Sequence, residues 1–135
     1  MTGQKVALAV RDDLATWQKL NVAAFLTSGL GTERPDVIGD RYVDADGRRY
    51  PPMLATPVRV FAGDAAALRR GLDRAVGRGL LVSVFVDEMF ATMNDTDNRV
   101  AFAGVAPSEM SVAGFVAVGE AKQVDKAFDK LRPHD

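Results

Sequence analysis

The sequence predicts one α/β domain with helices on both faces of a small sheet. Two observations carry this. Short continuous apolar runs alternate with stretches whose apolar residues recur every three or four positions, the pattern of buried strands joined by amphipathic helices. The run Gly79–Val86, broken only by Ser83, then delivers Asp87 and Glu88. It reads as a strand buried on both faces, with acids at the end where open α/β sheets place their ligand crevices. A chain of 135 residues suits a single domain that buries roughly two thirds of its unfolded surface.

Val6–Val10 is the first buried strand, ended by Arg11, Asp12 and Asp13. From Thr16, read as the N-cap, the pattern turns helical. Trp17, Leu20 and Ala24 form one stripe and Ala23, Leu26 and Leu30 another. Gly29 and Gly31 lie where a left-handed cap is expected. Residues 32–56 are less regular. Asp46-Gly47, between Arg41-Tyr42-Val43 and Arg48-Arg49-Tyr50, is a two-residue hairpin turn, which places a β-hairpin excursion near 40–52. Tyr42 and Tyr50 are placed to pair across it, or to cover the crevice as a lid.

Pro57–Phe61 reads as the next strand, and Asp64 caps a helix over Ala65–Arg78 that Gly77 and Gly79 stop. After strand Leu80–Val86, Asn94 caps a helix through Val105, stopped near Pro107. Ser111–Val118 is a last strand of small residues, followed by an amphipathic helix over Glu120–Leu131. Arg132–Asp135 is expected to fray. Trp17, Phe25 and Phe128 are expected in the core.

The composition, 47% hydrophobic and 26% charged, is that of an ordinary globular protein. With a net charge of −1 and its 17 basic residues spread along the chain, it lacks the basic footprint of a nucleic-acid binder. The absence of cysteine excludes disulfides, a thiolate nucleophile and a cysteine zinc site. The first apolar run is too short for a signal-peptide core or a membrane span, so a cytoplasmic protein with no membrane partner is expected. His134 is the single histidine, which leaves out a histidine triad or a multi-histidine metal site. Asp44-Ala45-Asp46-Gly47 lacks the later ligands of a calcium loop, and helix capping explains Asn94–Asn98. No phosphate-loop or dinucleotide fingerprint exists. Neither a metal nor a cofactor is expected.

The candidate site lies at one sheet edge. If strand 80–86 runs parallel beside the first strand, Asp87 and Glu88 emerge near Asp12 and Asp13, at the start of the first helix. Lys19 in that helix's first turn reaches the same space, and Thr92 lies just beyond. A lysine among several carboxylates, beside free helix N–H groups, suits a general base or an anion site. The same residues also read as helix capping by Asp12 or Asp13, a Lys19–Asp87 ion pair, and a solvated Glu88.

The whole chain resembles the type-two peptidyl-tRNA hydrolases in the order of its elements. It resembles still more closely an uncharacterised bacterial family with that fold. Trp17-Gln18-Lys19 through Leu26 is similar to the hydrolases' lysine-bearing helix. Gly79–Asp87 is similar to their strand ending in a catalytic aspartate, and Ser111–Leu131 to their last strand and helix. The segment Ile38 through Asp46-Gly47 to Pro51 is shared with the bacterial family. The resemblance implies a three-layer α/β/α fold on a small mixed four-stranded sheet whose last strand is antiparallel. Helix 94–106 then becomes an elaborated hairpin connection. It also implies functional positions at Lys19 and Asp87 and, approximately, at Thr92. Ala23 and Leu26 replace the hydrolases' glutamine and histidine, Glu88–Ala91 replaces their arginine–threonine loop, and the helix replaces their proline-glycine-threonine turn.

The first reading is therefore a domain binding a small molecule or anion in a Lys19/Asp87 crevice, with Asp12, Asp13, Thr16 and Glu88 around the ligand. The alternative is a peptidyl-tRNA hydrolase or related acyl-ester hydrolase using Asp87, Lys19 and Thr92. A further alternative is a homodimer-forming interaction module without catalysis, packing through Ala113-Gly114 and Ala101–Val105.

Overall fold

Consecutive apolar positions leave the first strand no face for solvent, and Val6 to Val10 are all buried. The computed structural model describes residues 3–135. In chain order it consists of β1 (Gln4–Arg11), α1 (Thr16–Ser28), the short α2 (Leu30–Glu33), the hairpin strands β2 (Tyr42–Val43) and β3 (Arg49–Tyr50), β4 (Val58–Gly63) and α3 (Ala65–Gly77). These are followed by β5 (Leu81–Val86), α4 (Asp95–Ala103), β6 (Val112–Glu120), α5 (Ala121–Phe128) and β7 (Arg132–Pro133).

The main sheet is mixed and has five strands in the order β5-β6-β1-β4-β7, where four were expected. The additional strand comes from the C-terminal tail, which does not fray. Arg132 and Pro133 pair with Ala62 and Phe61, and the His134 N–H donates to the Val60 carbonyl at 3.0 Å. These bonds occupy a β4 edge that would otherwise carry unpaired backbone groups. β6 is antiparallel to both neighbours, so α4 lies in an elaborated hairpin connection, as expected. β5 and β1 run in the same direction but are not adjacent, because β6 separates them.

Side-chain alternation divides β1 between two cores. Ala7 and Ala9 face α3 and α5, packed with Leu68, Leu72, Phe115 and Phe128. Val6, Leu8 and Val10 face α1 and α2, packed with Val22, Leu26 and Leu30. β6 is buried on both faces like β1, every one of its residues being buried up to Glu120. β5 is an edge strand with only Phe85 and Val86 buried. Its apolar composition resembled that of a central strand because hydrophobicity reports transfer preference, not lateral position in the sheet.

Trp17 and Phe25 also depart from expectation. They are 64% and 54% exposed, whereas Phe128 is buried. The face of α1 that packs on the sheet carries Val22 and Leu26, and at about a hundred degrees per residue Trp17 and Phe25 fall on a different side of the helix. The helix starts from Ala15 rather than Thr16. The Ala15 N–H donates to Gln18 Oε1 at 3.0 Å, and Thr16 is the first helical residue. At the other end Gly29 has a right-handed φ of −92°, so the chain runs on into α2 instead of stopping at a left-handed cap. The caps at Asp64 and Asn94 form as expected, each side chain accepting an N–H three residues on.

One glycine sets how closely α1 sits on the sheet. A Cβ on Gly114 would lie 2.6 Å from Val22 Cγ1 and 2.9 Å from the Ala9 carbonyl oxygen. Gly114 follows the extra residue Ala113 at a β-bulge, where Phe85 faces Gly114 and Val86 faces Val112. Both Ala113 and Gly114 are buried inside the sheet, which removes them from any dimer surface.

The hairpin forms where expected, with Tyr42 opposite Tyr50, but its loop is longer than a two-residue Asp46-Gly47 turn: Val43 faces Arg49, the Asp44 N–H donates to the Arg48 carbonyl at 3.0 Å, and Gly47 takes a left-handed φ of 83°. The Asp44 carboxylate accepts the Tyr50 hydroxyl at 2.7 Å and the N–H groups of Asp46 and Arg48. The Tyr50 bond, then the backbone bonds, hold the Asp44 carboxyl below its ordinary value, and Tyr50 is raised in turn. Every residue from Asp40 to Met53 is exposed, so the hairpin projects from the body and does not cover the sheet edge.

Two outcomes follow. Gly114→Ala forces α1 off the sheet and is expected to cost about 1–3 kcal/mol, measured as a lower urea midpoint at unchanged slope. Because folding depresses the Asp44 carboxyl, its contribution to hairpin order is complete above the ordinary carboxylate range. It is lost as pH falls through the depressed value. In a carbon-detected NMR titration, Tyr50→Phe should move the Asp44 midpoint up toward the ordinary value; an unchanged midpoint refutes the assignment.

Candidate functional site

The C-terminal ends of β1 and β5 and the start of β6 meet at one edge, and the residue that organises this edge is Arg11. Its side chain leaves the last position of β1 and is 12% exposed. Nη1 donates to both oxygens of Asp87, at 2.8 and 3.1 Å, and approaches the Val112 carbonyl at 3.3 Å. Nε donates to Asp13 Oδ1 at 2.7 Å. Burial works against the Arg11 charge, but the hydrogen bonds and charges of Asp13 and Asp87 outweigh it, so the guanidinium is held above its ordinary value. The Ser111 hydroxyl completes the cluster, donating to Asp87 Oδ2 at 2.5 Å.

Lys19 is not the partner of Asp87. Its Nζ lies 3.1 Å from His134 Nε2, on the side of α1 toward β4 and β7, whereas Asp87 stands over β5 and β6. Asp12 turns the same way as Lys19. Its N–H donates to the Gly63 carbonyl, and its carboxylate pairs with Arg132 at 3.4 Å. The structure thus places Asp13 with Asp87, and Asp12 with the C-terminal tail. Thr16 and Glu88 are exposed. The Thr92 hydroxyl is engaged with Asn98 and the Met89 carbonyl, fastening the 3₁₀ turn Asp87–Ala91 to α4. The sequence pattern marks Arg11 and Ser111 only as strand ends. The available signal was an arginine closing a fully apolar strand on the edge that receives Asp87.

Beside this cluster, between α1, the free edge of β5, the 3₁₀ turn and α4, lies a groove of about 820 Å³. Trp17, Phe25, Phe85, Phe90 and Phe102 make it aromatic, with Asn21, Thr92, Asn98 and the Asp95–Arg99 ion pair among its polar lining. Phe85 anchors the floor, with its ring 6.1 Å from Phe25 and 4.9 Å from Phe90. Met93, 93% exposed, stands at the mouth. α4 forms the outer wall with no buried residue of its own. The aromatic stripe of α1 is exposed because it faces this groove and not a packed layer.

Among the described residues no group of three or more His, Cys, Asp or Glu side chains is placed to hold a metal ion. No described helix is long and apolar enough to cross a membrane.

A three-layer mixed α/β domain with a polar cluster at the strand ends and an aromatic groove beside it is thus the class of protein the fold and site define. Residues 4–135 match the model of a family described as a protein of unknown function, DUF2000, and the chain belongs to that family. A solved structure of a protein of unknown function from Agrobacterium tumefaciens is 39% identical and superposes with a TM-score of 0.94, each chain covered in full. No curated protein matches the chain.

The geometry makes Arg11 and Asp87 energetically coupled and Lys19 and Asp87 independent. In double-mutant cycles by urea denaturation, Arg11→Met with Asp87→Asn should show a coupling of about 1 kcal/mol, kept modest by the partial exposure of Asp87. Lys19→Met with Asp87→Asn should be additive. The reverse result would restore the Lys19/Asp87 pair.

Proposed function

We propose that the protein is a ligand-binding domain that takes a largely apolar ligand into the aromatic groove beside Asp87. The observation that carries this is the groove itself: a concavity of ligand size, walled by five aromatic rings, with Asn21 and the Asn98 side chain, held by Thr92, to orient what it holds. The Arg11–Asp87–Ser111–Asp13 cluster does not line the groove; it fixes the end of β5 and the start of the 3₁₀ turn, from which Phe85, Met89 and Phe90 enter it. Relative to a Lys19/Asp87 crevice, the ligand moves toward β5, because Lys19 is occupied with His134.

The hydrolase reading draws its support from Asp87 at the end of β5 and from an element order matching the type-two peptidyl-tRNA hydrolase-like fold, which we retain as part of the proposal. Against it, both Asp87 oxygens already accept hydrogen bonds from Arg11, which opposes a role as general base. A cytoplasmic setting, suggested by the cysteine-free composition, belongs to the same proposal.

Trp17 is the chain's single tryptophan and lines the groove, so its emission reports occupancy directly. Titration with the neutral apolar probe N-phenyl-1-naphthylamine should give saturable energy transfer from Trp17. A rise in melting temperature governed by mass action should accompany it. Phe25→Gln, at a half-exposed position, should weaken binding about tenfold or more without unfolding the protein, by loss of a buried aromatic contact. Binding that does not saturate, or is indifferent to Phe25→Gln, refutes the groove as the site.

A further inference from the structure

We infer that the groove's ligand is an extended apolar peptide segment with basic flanks, which adds to β5 as a further strand; this rests on the groove being the ligand site. β5 pairs with β6 on one side only. In an antiparallel ladder each strand directs alternate N–H and C=O groups away from a given neighbour, so β5 presents a row of them on its free side. Ser83, Val84 and Phe85 line the groove consecutively, which puts that row on its wall. Among the described residues, no side chain or loop backbone bonds to the main chain of Leu81–Val86.

Natural sheets protect such edges with lysine, proline, inward charges or a packed cover. The sequence Leu-Val-Ser-Val-Phe-Val has none of these, and the single irregularity lies at its far end, between Phe85 and Val86. α4, which stands beside the edge, buries no residue against it.

The chemistry of that wall selects the ligand. A hydrocarbon or a flat aromatic molecule would fill the volume but leave the backbone donors and acceptors unpaired away from water, which is unfavourable. An extended peptide pairs with them and turns alternate side chains toward the aromatic rings. The concavity also continues along the strand. A second hollow, of about 480 Å³, follows Leu81–Ser83 between Gly29 and Glu33. A ligand lying along both would be elongated rather than compact.

Charge sets the flanks. Asp95 and Glu33 line the two hollows, and Glu88 and Asp97 each adjoin a lining residue. Among the described residues the single lining cation, Arg99, is paired with Asp95 at 2.8 Å, so these two charges cancel and the net negative charge of the rim is that of Glu33, Glu88 and Asp97. A second copy of this chain would bring the same acidic rim against itself, whereas a basic-flanked segment neutralises it.

The test uses a fluorescein-labelled heptapeptide in which three valine or phenylalanine residues alternate with threonine between terminal lysines. It is compared with a version N-methylated on the backbone at alternate positions and with a glutamate-flanked version. Saturable polarisation binding is expected, with slowed hydrogen exchange at alternate amides of Leu81–Phe85. N-methylation on the pairing side should weaken binding about tenfold or more through the lost hydrogen bonds. The glutamate-flanked version should bind more weakly, with the difference shrinking at high salt. If N-phenyl-1-naphthylamine still receives energy from Trp17 while no peptide protects β5, the peptide assignment is overturned and the groove stands. If neither probe binds, both fall. Protection of the same amides that rises with protein concentration in the absence of peptide would overturn the assignment in favour of a second copy.

Discussion

The structure depends on β6 lying inside the sheet, between β5 and β1, with both faces buried. Val112 to Gly119 carry no polar side chain, so solvent exposure of either face would forfeit apolar burial along the whole strand. β6 follows β5 through a connection long enough to turn back, and it pairs antiparallel with β5 on one side and β1 on the other. β1 and β5 therefore point the same way, and their ends reach the same edge. The small residues of β6 decide the spacing above it. At Gly114 the approach of Val22 leaves no room for a methyl group, so α1 is held against the strand at that point. Placing α1 there turns its other side, with Trp17 and Phe25, out over β5.

The polar edge is a consequence of the same arrangement. β1 and β5 end together across the start of β6, so their terminal side chains must be satisfied jointly. Arg11 does this by donating to Asp87, Asp13 and the Val112 carbonyl at once, and Ser111 uses another lone pair of Asp87. A charge bound to so many acceptors is preorganised rather than reactive. The cluster ties three strand ends together and fixes the point at which β5 passes into the 3₁₀ turn beside the groove.

The groove exists because one edge of the sheet is closed and the other is not. At the β4 edge the tail residues Arg132 and Pro133 supply a strand. At the β5 edge the covering element is α4, whose residues sit beside the strand without packing on it. Apolar rings collect there from four separate segments, and this explains the exposure of side chains that the helix pattern alone would assign to a core.

Residue order alone determined most of the elements. The helices capped by Asp64 and Asn94, the Asp46-Gly47 turn and the strands around Ala7, Phe61 and Phe85 are written in local patterns of hydrophobicity, capping and turn chemistry. The edge at which Asp87 emerges was legible for the same reason, because a strand's end follows from the strand. Which apolar strand lies inside the sheet and which at its edge was not legible, since β5 and β6 are both hydrophobic and differ in how much packed structure surrounds them. Nor was the partner of Asp87. Arg11 and Asp87 are far apart in sequence, and only the insertion of β6 between β1 and β5 sets the lateral distance that an arginine can bridge, while the rotation of α1 sends Lys19 to His134. The tail strand escaped for a related reason, because two residues carry no periodicity and their pairing depends on an open edge elsewhere in the fold. Local preference fixes what each segment becomes. The competition of all segments for a limited buried interior decides which of them are neighbours, and the site is made of neighbours.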